Sequence, residues 1–135
     1  MSHQSGQPTV APLAAVHYEE LVRRELTVDL GSAGDVTTDA IVADDLEARA
    51  QIVARQDGRV CGLSCALFAF ETLGPVRYRM DQVDGKDVAP GTVLVDLEGP
   101  ARVLLSAERT ALNFLAHLSG IATVTRDLVH TVSRV

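Results

Sequence analysis

SAERTALNFLAHLSGIATVT, residues 106–125, joins a helix signal, a misplaced charge and a break in one stretch. Ala107, Ala111, Leu115 and Leu118 recur at helical spacing, and Leu112 widens that stripe toward a face to be buried. Ser106 is placed to cap the helix, and Glu108 complements the positive end of its dipole. Arg109 then falls in the same first turn, where a cation is disfavoured by about 0.3–1 kcal/mol. Arg109 and Asn113 are four apart and share one face, with His117 a turn further on. A planar cationic fork beside an amide suits a carboxylate or phosphate ligand, or an acidic partner surface. On the residues alone, the ordinary reading of Arg109 is a solvated or Glu108-paired arginine. Ser119-Gly120 is expected to end this helix, and Thr123 to Ser133 to begin another.

Working back from that stretch, Ala101 to Leu105 and Thr92 to Asp96 are expected to pair as strands around Gly99-Pro100. Val76, Tyr78, Met80 and Val83 predict a further strand, with turns at Asp84-Gly85 and Pro90-Gly91. Ser64 to Leu73 predicts a short helix, apolar along Cys65, Leu67, Phe68 and Ala69 and stopped by Gly74-Pro75. Leu46 to Arg55 alternates as a strand, with Leu46, Ala48, Ala50, Ile52 and Ala54 on one face, and Asp57-Gly58 is a hairpin turn leading into a return strand Arg59-Val60-Cys61. Asp29 to Asp35 predicts a loop knit together by Asp35 and Thr37. Leu13, Val16, Leu21 and Val22 place an amphipathic helix over Pro12 to Leu26. Residues 1–11 predict a disordered tail. The expected architecture is α+β, built on antiparallel strands rather than βαβ units, with an N-terminal α+β domain over 12–118 and a helical lead-in over 119–135.

The 135 residues amount to one domain, with enough apolar side chains to bury about two-thirds of the unfolded surface. The net charge of −6, with Lys86 the single lysine, argues against a nucleic-acid partner, which needs a concentrated basic patch. No run approaches the 18 or so apolar residues that span a bilayer, so no membrane partner is expected. Cys61 and Cys65 have no third or fourth ligand at metal spacing and are read as reduced core thiols of a cytoplasmic protein.

Three motifs carry a resemblance. Glu108-Arg109-Thr110-Ala111-Leu112-Asn113-Phe114-Leu115 followed by Leu118-Ser119-Gly120-Ile121-Ala122-Thr123 closely resembles the ER-x-ALN-x-L…LSGIAT segment of the quinolinate phosphoribosyltransferases, the carboxylating nicotinate-nucleotide pyrophosphorylases. Asp29-Leu30-Gly31 with Gly34-Asp35-Val36-Thr37-Thr38 is similar to that family's DLG…GD-x-TT signature, and Ala54-Arg55 through Gly58 to Gly62-Leu63 to its A-R-x-x-G…G-L segment. The three occur in family order. The resemblance implies an N-terminal open sandwich of antiparallel strands and helices, leading into an α/β barrel that is absent from these 135 residues.

It also implies a reaction: quinolinate and phosphoribosyl pyrophosphate give nicotinate mononucleotide, carbon dioxide and pyrophosphate, with Mg2+ accompanying the phosphates. Such chemistry needs cations for carboxylates and phosphates, acidic groups for the metal, and a cavity that excludes water. In the family most of these groups come from the barrel, after a DTRKT-like motif. A parallel barrel takes on the order of 200 residues, and only fifteen follow Gly120. No catalytic or metal-binding residue is therefore assigned in this chain, and the chain alone is expected to be inactive. What the resemblance carries over is Arg109, as a ligand for a quinolinate carboxylate of the neighbouring subunit in a homodimer or assembly of dimers. Glu108 and Asn113 are carried over as its supports. His17, His117 and His130 are read as ordinary solvated or packed residues.

Two other readings compete. One is the phosphoribosyltransferase homologue associated with molybdate transport, which shares these motifs. The other is a biotinyl- or lipoyl-carrier-like module, suggested by the turn-rich segment from Asp84 to Gly99 with Lys86 at a hairpin tip; it leaves Glu108 to Thr123 unexplained.

Overall fold

The computed structural model describes residues 10–32 and 34–135. A 3-10 turn, Ala15–His17, precedes α1 (Glu19–Leu30), α2 (Val36–Ile41), β1 (Glu47–Val53), β2 (Gly58–Arg59), α3 (Leu63–Leu73), β3 (Arg77–Met80), β4 (Asp87–Val88), β5 (Val93–Pro100) and α4 (Ala101–Val132). The expected tail lies outside the described residues except for Val10 and Ala11, which belong to no helix or strand.

β5 is the centre of an antiparallel three-stranded sheet ordered β1-β5-β3, and β2 pairs with β4 in a separate two-stranded ribbon. The period-2 alternation of β5 explains its place. Val95 and Leu97 are buried on one face, while Asp96 and Glu98 turn outward. Those two carboxylates meet a ladder from both neighbouring strands. Arg49 and Arg77 flank Glu98 at 3.5 and 2.8 Å, and Gln51 and Arg79 flank Asp96 at 2.7 and 2.6 Å. The inner face packs with α3 and α4 into one core that includes Ile52, Leu63, Ala66, Phe70, Ala107 and Leu115. α1 lies across α3 and α4, where Tyr18 meets Phe68 edge-on at 6.0 Å and Arg23 stacks over the same ring at 4.9 Å.

The α+β class and the antiparallel pairing match the expectation, but several elements do not. The strand pair expected around Gly99-Pro100 is one strand followed by a helix. Gly99 lies inside β5, paired with Ala48, and the position takes a glycine because a Cβ there would stand 2.9 Å from the Pro75 carbonyl oxygen. Pro100 then occupies the N-cap of α4. Ala101–Leu105 reads as a strand by local alternation, yet Ala101, Leu104, Ala107, Ala111 and Leu115 form one buried helical stripe, and the longer period prevails. The Asp57-Gly58 turn leads away from β1, since β2 pairs with β4 and β1 with β5. The first helix starts later than expected and continues through Asp29 to Leu30, where Gly31 at φ 67° ends it. Part of the Asp-Val-Thr-Thr signature is helical as α2. Asp35 caps it by accepting hydrogen bonds from the Thr38 amide and hydroxyl, so Thr38 rather than Thr37 closes that turn.

α4 is a single helix of 32 residues, and it passes through Ser119-Gly120 without a break. Gly120 does not end it because the hydrogen-bond ladder on either side is held by packing and by side-chain anchors described below. A Cβ at Gly120 would meet nothing within 4 Å. Gly120→Ala is therefore expected to stabilise the chain by about 0.5–1 kcal/mol, through helix propensity and unfolded-state entropy alone. Urea unfolding checks this, and a lower midpoint for the variant would contradict it.

Candidate functional site: the outward face of α4

Arg109 is the ninth residue of α4, counting from Ala101, so the expected clash with the dipole does not arise. Ser106 is likewise not a cap; it lies in the helix interior with its hydroxyl directed at Asp35. Leu112 is 40% exposed and belongs to the outward face instead of the buried stripe. Arg109, Leu112, Asn113 and Ala116 share this solvent-facing side. Arg109 makes no ion pair or hydrogen bond among the described residues, and neither Glu108 nor Asn113 bonds to it. Its guanidinium is presented to solvent with its five donors uncommitted.

Two grooves flank this face. One, between α1 and α4, is lined by Leu21, Glu25, Asp29, Asn113, Phe114 and His117. The other, about 810 Å³, runs between α4 and the β1–β2 connection, from Glu108 past Leu112 and Gly120 to Val124, with Arg55 on its opposite wall and Ile52, Val60 and Leu94 in its floor.

The third sequence motif is the middle of α4, and the other two dock it at different heights. Near Arg109, the Thr110 hydroxyl donates to Asp29 Oδ2 at 2.5 Å and the Ser106 hydroxyl to Asp35 Oδ2 at 3.0 Å. Hydrogen bonds from Thr38 and then Ser106 hold the Asp35 carboxyl below the usual carboxylate range. Below this station, Arg102 donates to the carbonyls of Val42 and Asp39 and pairs with Asp44 at 2.6 Å. Further along, Ser119 accepts from the Cys61 amide and donates to the Cys61 carbonyl, while Thr123 accepts from the Arg59 amide at 2.9 Å. Gly58 lets this happen, since a Cβ there would stand 2.8 Å from the Thr123 hydroxyl. The LSGIAT run is therefore an anchor for the β2 edge. The sequence reading missed Thr110, Asp29 and these hydroxyl roles; the available signals were a threonine inside the apolar stripe and an aspartate in the last turn of a helix.

A last station is ionic. Arg126, with only 11% of its side chain exposed, lies 3.5 Å from Asp57, 3.2 Å from Asp87 and 2.8 Å from Asp127. Hydrogen bonds from Arg59 and Arg126 keep the Asp87 carboxyl below its ordinary value of 3.8. A depressed carboxyl contributes stability that is complete above the unfolded value and is lost as the pH falls through the folded one. Acid below about pH 3.8 is thus expected to loosen the end of α4 from the ribbon, and Asp87→Asn to flatten part of that acid limb. Thermal unfolding of both chains between pH 7 and pH 3 checks this; an acid limb identical in the variant would remove Asp87 from it.

Cys61 and Cys65 are free, and burial with the nearby Asp84 charge raises both thiols above their usual range, which keeps them protonated. Among the described residues no group of three or more His, Cys, Asp or Glu side chains is arranged to hold a metal. Lys86 is exposed and follows the Asp84-Gly85 turn.

An antiparallel sheet and a helical layer that together immobilise one long helix and expose an arginine on it define an α+β helix-presenting domain. Residues 35–119 match the family model described as quinolinate phosphoribosyl transferase, N-terminal domain. The chain belongs to this family, of which it carries the N-terminal domain. It is 39% identical over 110 residues to a probable nicotinate-nucleotide pyrophosphorylase [carboxylating] of Methanocaldococcus jannaschii, covering 82% of this chain and 38% of the relative. It is 36% identical over 131 residues to a chloroplastic nicotinate-nucleotide pyrophosphorylase [carboxylating] of Oryza sativa subsp. japonica, covering 95% of this chain and 35% of the relative. The solved nicotinate-nucleotide pyrophosphorylase from Francisella tularensis superposes with a TM-score of 0.83 at 30% identity, over 94% of this chain and 45% of that one. The chain thus spans less than half the length of each relative.

Proposed function

We propose that this domain serves an enzyme of NAD biosynthesis that joins quinolinate to phosphoribosyl pyrophosphate, releasing pyrophosphate and carbon dioxide to leave nicotinate mononucleotide. Within it, Arg109 binds a quinolinate carboxylate in the active site of a neighbouring subunit, so that the working unit is a homodimer or an assembly of dimers. The observation that carries this reading is the guanidinium of Arg109, uncommitted among the described residues, on a helix held at several points along its length. Two carboxylates on one small ring call for a planar bidentate donor, which a side chain already neutralised by a neighbour could not supply. The names of the relatives support the same activity. Glu108 and Asn113 flank Arg109 on the helix surface and help to shape the approach to it. Mg2+ enters with phosphoribosyl pyrophosphate through a barrel that these residues do not form, and the other catalytic groups belong there too. No described helix is long and apolar enough to cross a membrane, and two free thiols suit the reducing cytoplasm proposed for the enzyme.

The test is turnover of quinolinate and phosphoribosyl pyrophosphate to nicotinate mononucleotide. The purified 135-residue chain is expected to give none, and the same chain with a family barrel, covalently continued or mixed, to give quinolinate-dependent product. Turnover by the chain alone, or none with the barrel, would refute the division of labour.

A further inference from the structure

We infer that Asp29 and Thr110 are positioning residues for Arg109, seconded by Asp35 and Ser106; this rests on the carboxylate-binding role proposed above for Arg109. Helical hydroxyls have an easy local option, bonding back to the carbonyl four residues earlier. Thr123, Thr125, Thr131 and Ser133 all take it. Thr110 and Ser106 do not. Thr110 is 1% exposed, and its hydroxyl reaches across to a carboxylate of α1, while Ser106 reaches the cap of α2.

Asp29 breaks a local preference to be there. It stands in the last turn of α1, where the negative end of the helix dipole disfavours a carboxylate, and no basic residue of that turn compensates. Its bond to Thr110 is the compensating contact.

Geometry explains why the turn around Arg109 needs such bonds. The buried stripe at this height is Ala107 and Ala111, both 0% exposed. Alanine brings two backbones close but offers little shape to resist rotation of a helix about its axis. Hydroxyl–carboxylate bonds are directional and do resist it. Ser106 and Thr110 are one turn apart, so their two bonds oppose both rotation and axial sliding. A guanidinium about 9 Å from the helix axis moves about 3 Å for a 20° rotation, and productive binding geometry tolerates only about 0.5 Å. The DLG…GD-x-TT signature and the ER-x-ALN segment are thus two halves of one positioning device.

The test is a double-mutant cycle in the catalytically complete protein, reading KM for quinolinate and for phosphoribosyl pyrophosphate separately. Thr110→Val keeps the shape and removes the hydroxyl. It is expected to raise the quinolinate KM about five- to tenfold and to leave kcat and the phosphoribosyl pyrophosphate KM within about twofold. Thr110→Ser, which restores the hydroxyl, is expected to return the quinolinate KM to that of the parent. In the Arg109→Ala background, Thr110→Val is expected to add nothing. If Thr110→Val does not fold, Asp29→Leu breaks the same bond from an exposed position and is read identically. A lowered Tm with an unchanged quinolinate KM, or additive effects in the cycle, would overturn the inference while leaving the role of Arg109 intact. A silent Arg109→Ala would overturn both.

Discussion

Arg109→Ala in the catalytically complete protein is expected to raise the KM for quinolinate roughly 30- to 150-fold, equivalent to about 2–3 kcal/mol. The KM for phosphoribosyl pyrophosphate should stay within about twofold, because the lost contact belongs to the acceptor ring alone. The size of the effect follows from the isolation of the side chain. A guanidinium already paired with a neighbouring carboxylate would give up that pair to bind substrate, and its removal would cost little. Arg109 has no such pair among the described residues, so its charge-assisted bonds to the ligand are not offset in this way. Arg109→Lys keeps the charge and loses the planar fork, and should fall between the two. Steady-state kinetics with each substrate varied in turn distinguish the outcomes. Equal loss toward both substrates would move Arg109 from a ligand to a general structural role.

The largest effect on stability is expected at Gly62. This residue caps α3 with φ at 100°, and a Cβ built on it would lie 2.8 Å from Leu118 Cδ1 and 3.3 Å from Leu118 Cβ. Gly62→Ala therefore incurs backbone strain of about 1–3 kcal/mol together with overpacking of about 1–3 kcal/mol. A total near 3 kcal/mol would lower Tm by about 10 °C for a chain of this size. Gly91 separates the two terms. It also has positive φ, 87°, but nothing lies within 4 Å of its Cβ position. Gly91→Ala should show the strain alone and so cost about half as much. Denaturant unfolding of the two variants side by side checks the difference; equal losses would mean that α3 and α4 are less closely apposed than the Gly62–Leu118 contact requires.

The fold class was legible because its strongest signals are periodic. The α3 helix, expected at Ser64 to Leu73, is found at Leu63–Leu73, and the strand expected at Leu46 to Arg55 is found as β1, Glu47–Val53, although Leu46 and Ala50 of its expected apolar face are exposed and only Ile52 within β1 is buried. What misled were residues whose local preference is overruled by distant partners. Gly120 is a breaker in isolation, but Ser119 and Thr123 tie the helix on both sides of it to the backbone of residues 59–61. Pro100 looked like the middle of a turn and is the cap of a helix whose apolar stripe declares itself only over several turns. Asp57-Gly58 is a good hairpin signal, yet the return strand finds its partner thirty residues later in β4. The site was legible only at Arg109, through resemblance. Thr110 and Asp29 are separated by 81 residues, and no local pattern connects an aspartate in one helix with a threonine in another.

The unbroken α4 also has a mechanical consequence. At 1.5 Å per residue, the Ser119–Thr123 anchor acts as a fulcrum with arms of about 15 Å, one reaching back toward Arg109 and the other out toward Val132. Sideways displacement of the Val132 tip, resisted at Arg126 by Asp57 and Asp87, is passed by a stiff rod on such a pivot to the arginine in the opposite direction. The bonds from Thr110 to Asp29 and from Ser106 to Asp35 lie at the end of the inner arm, where leverage is greatest and a brake is most effective.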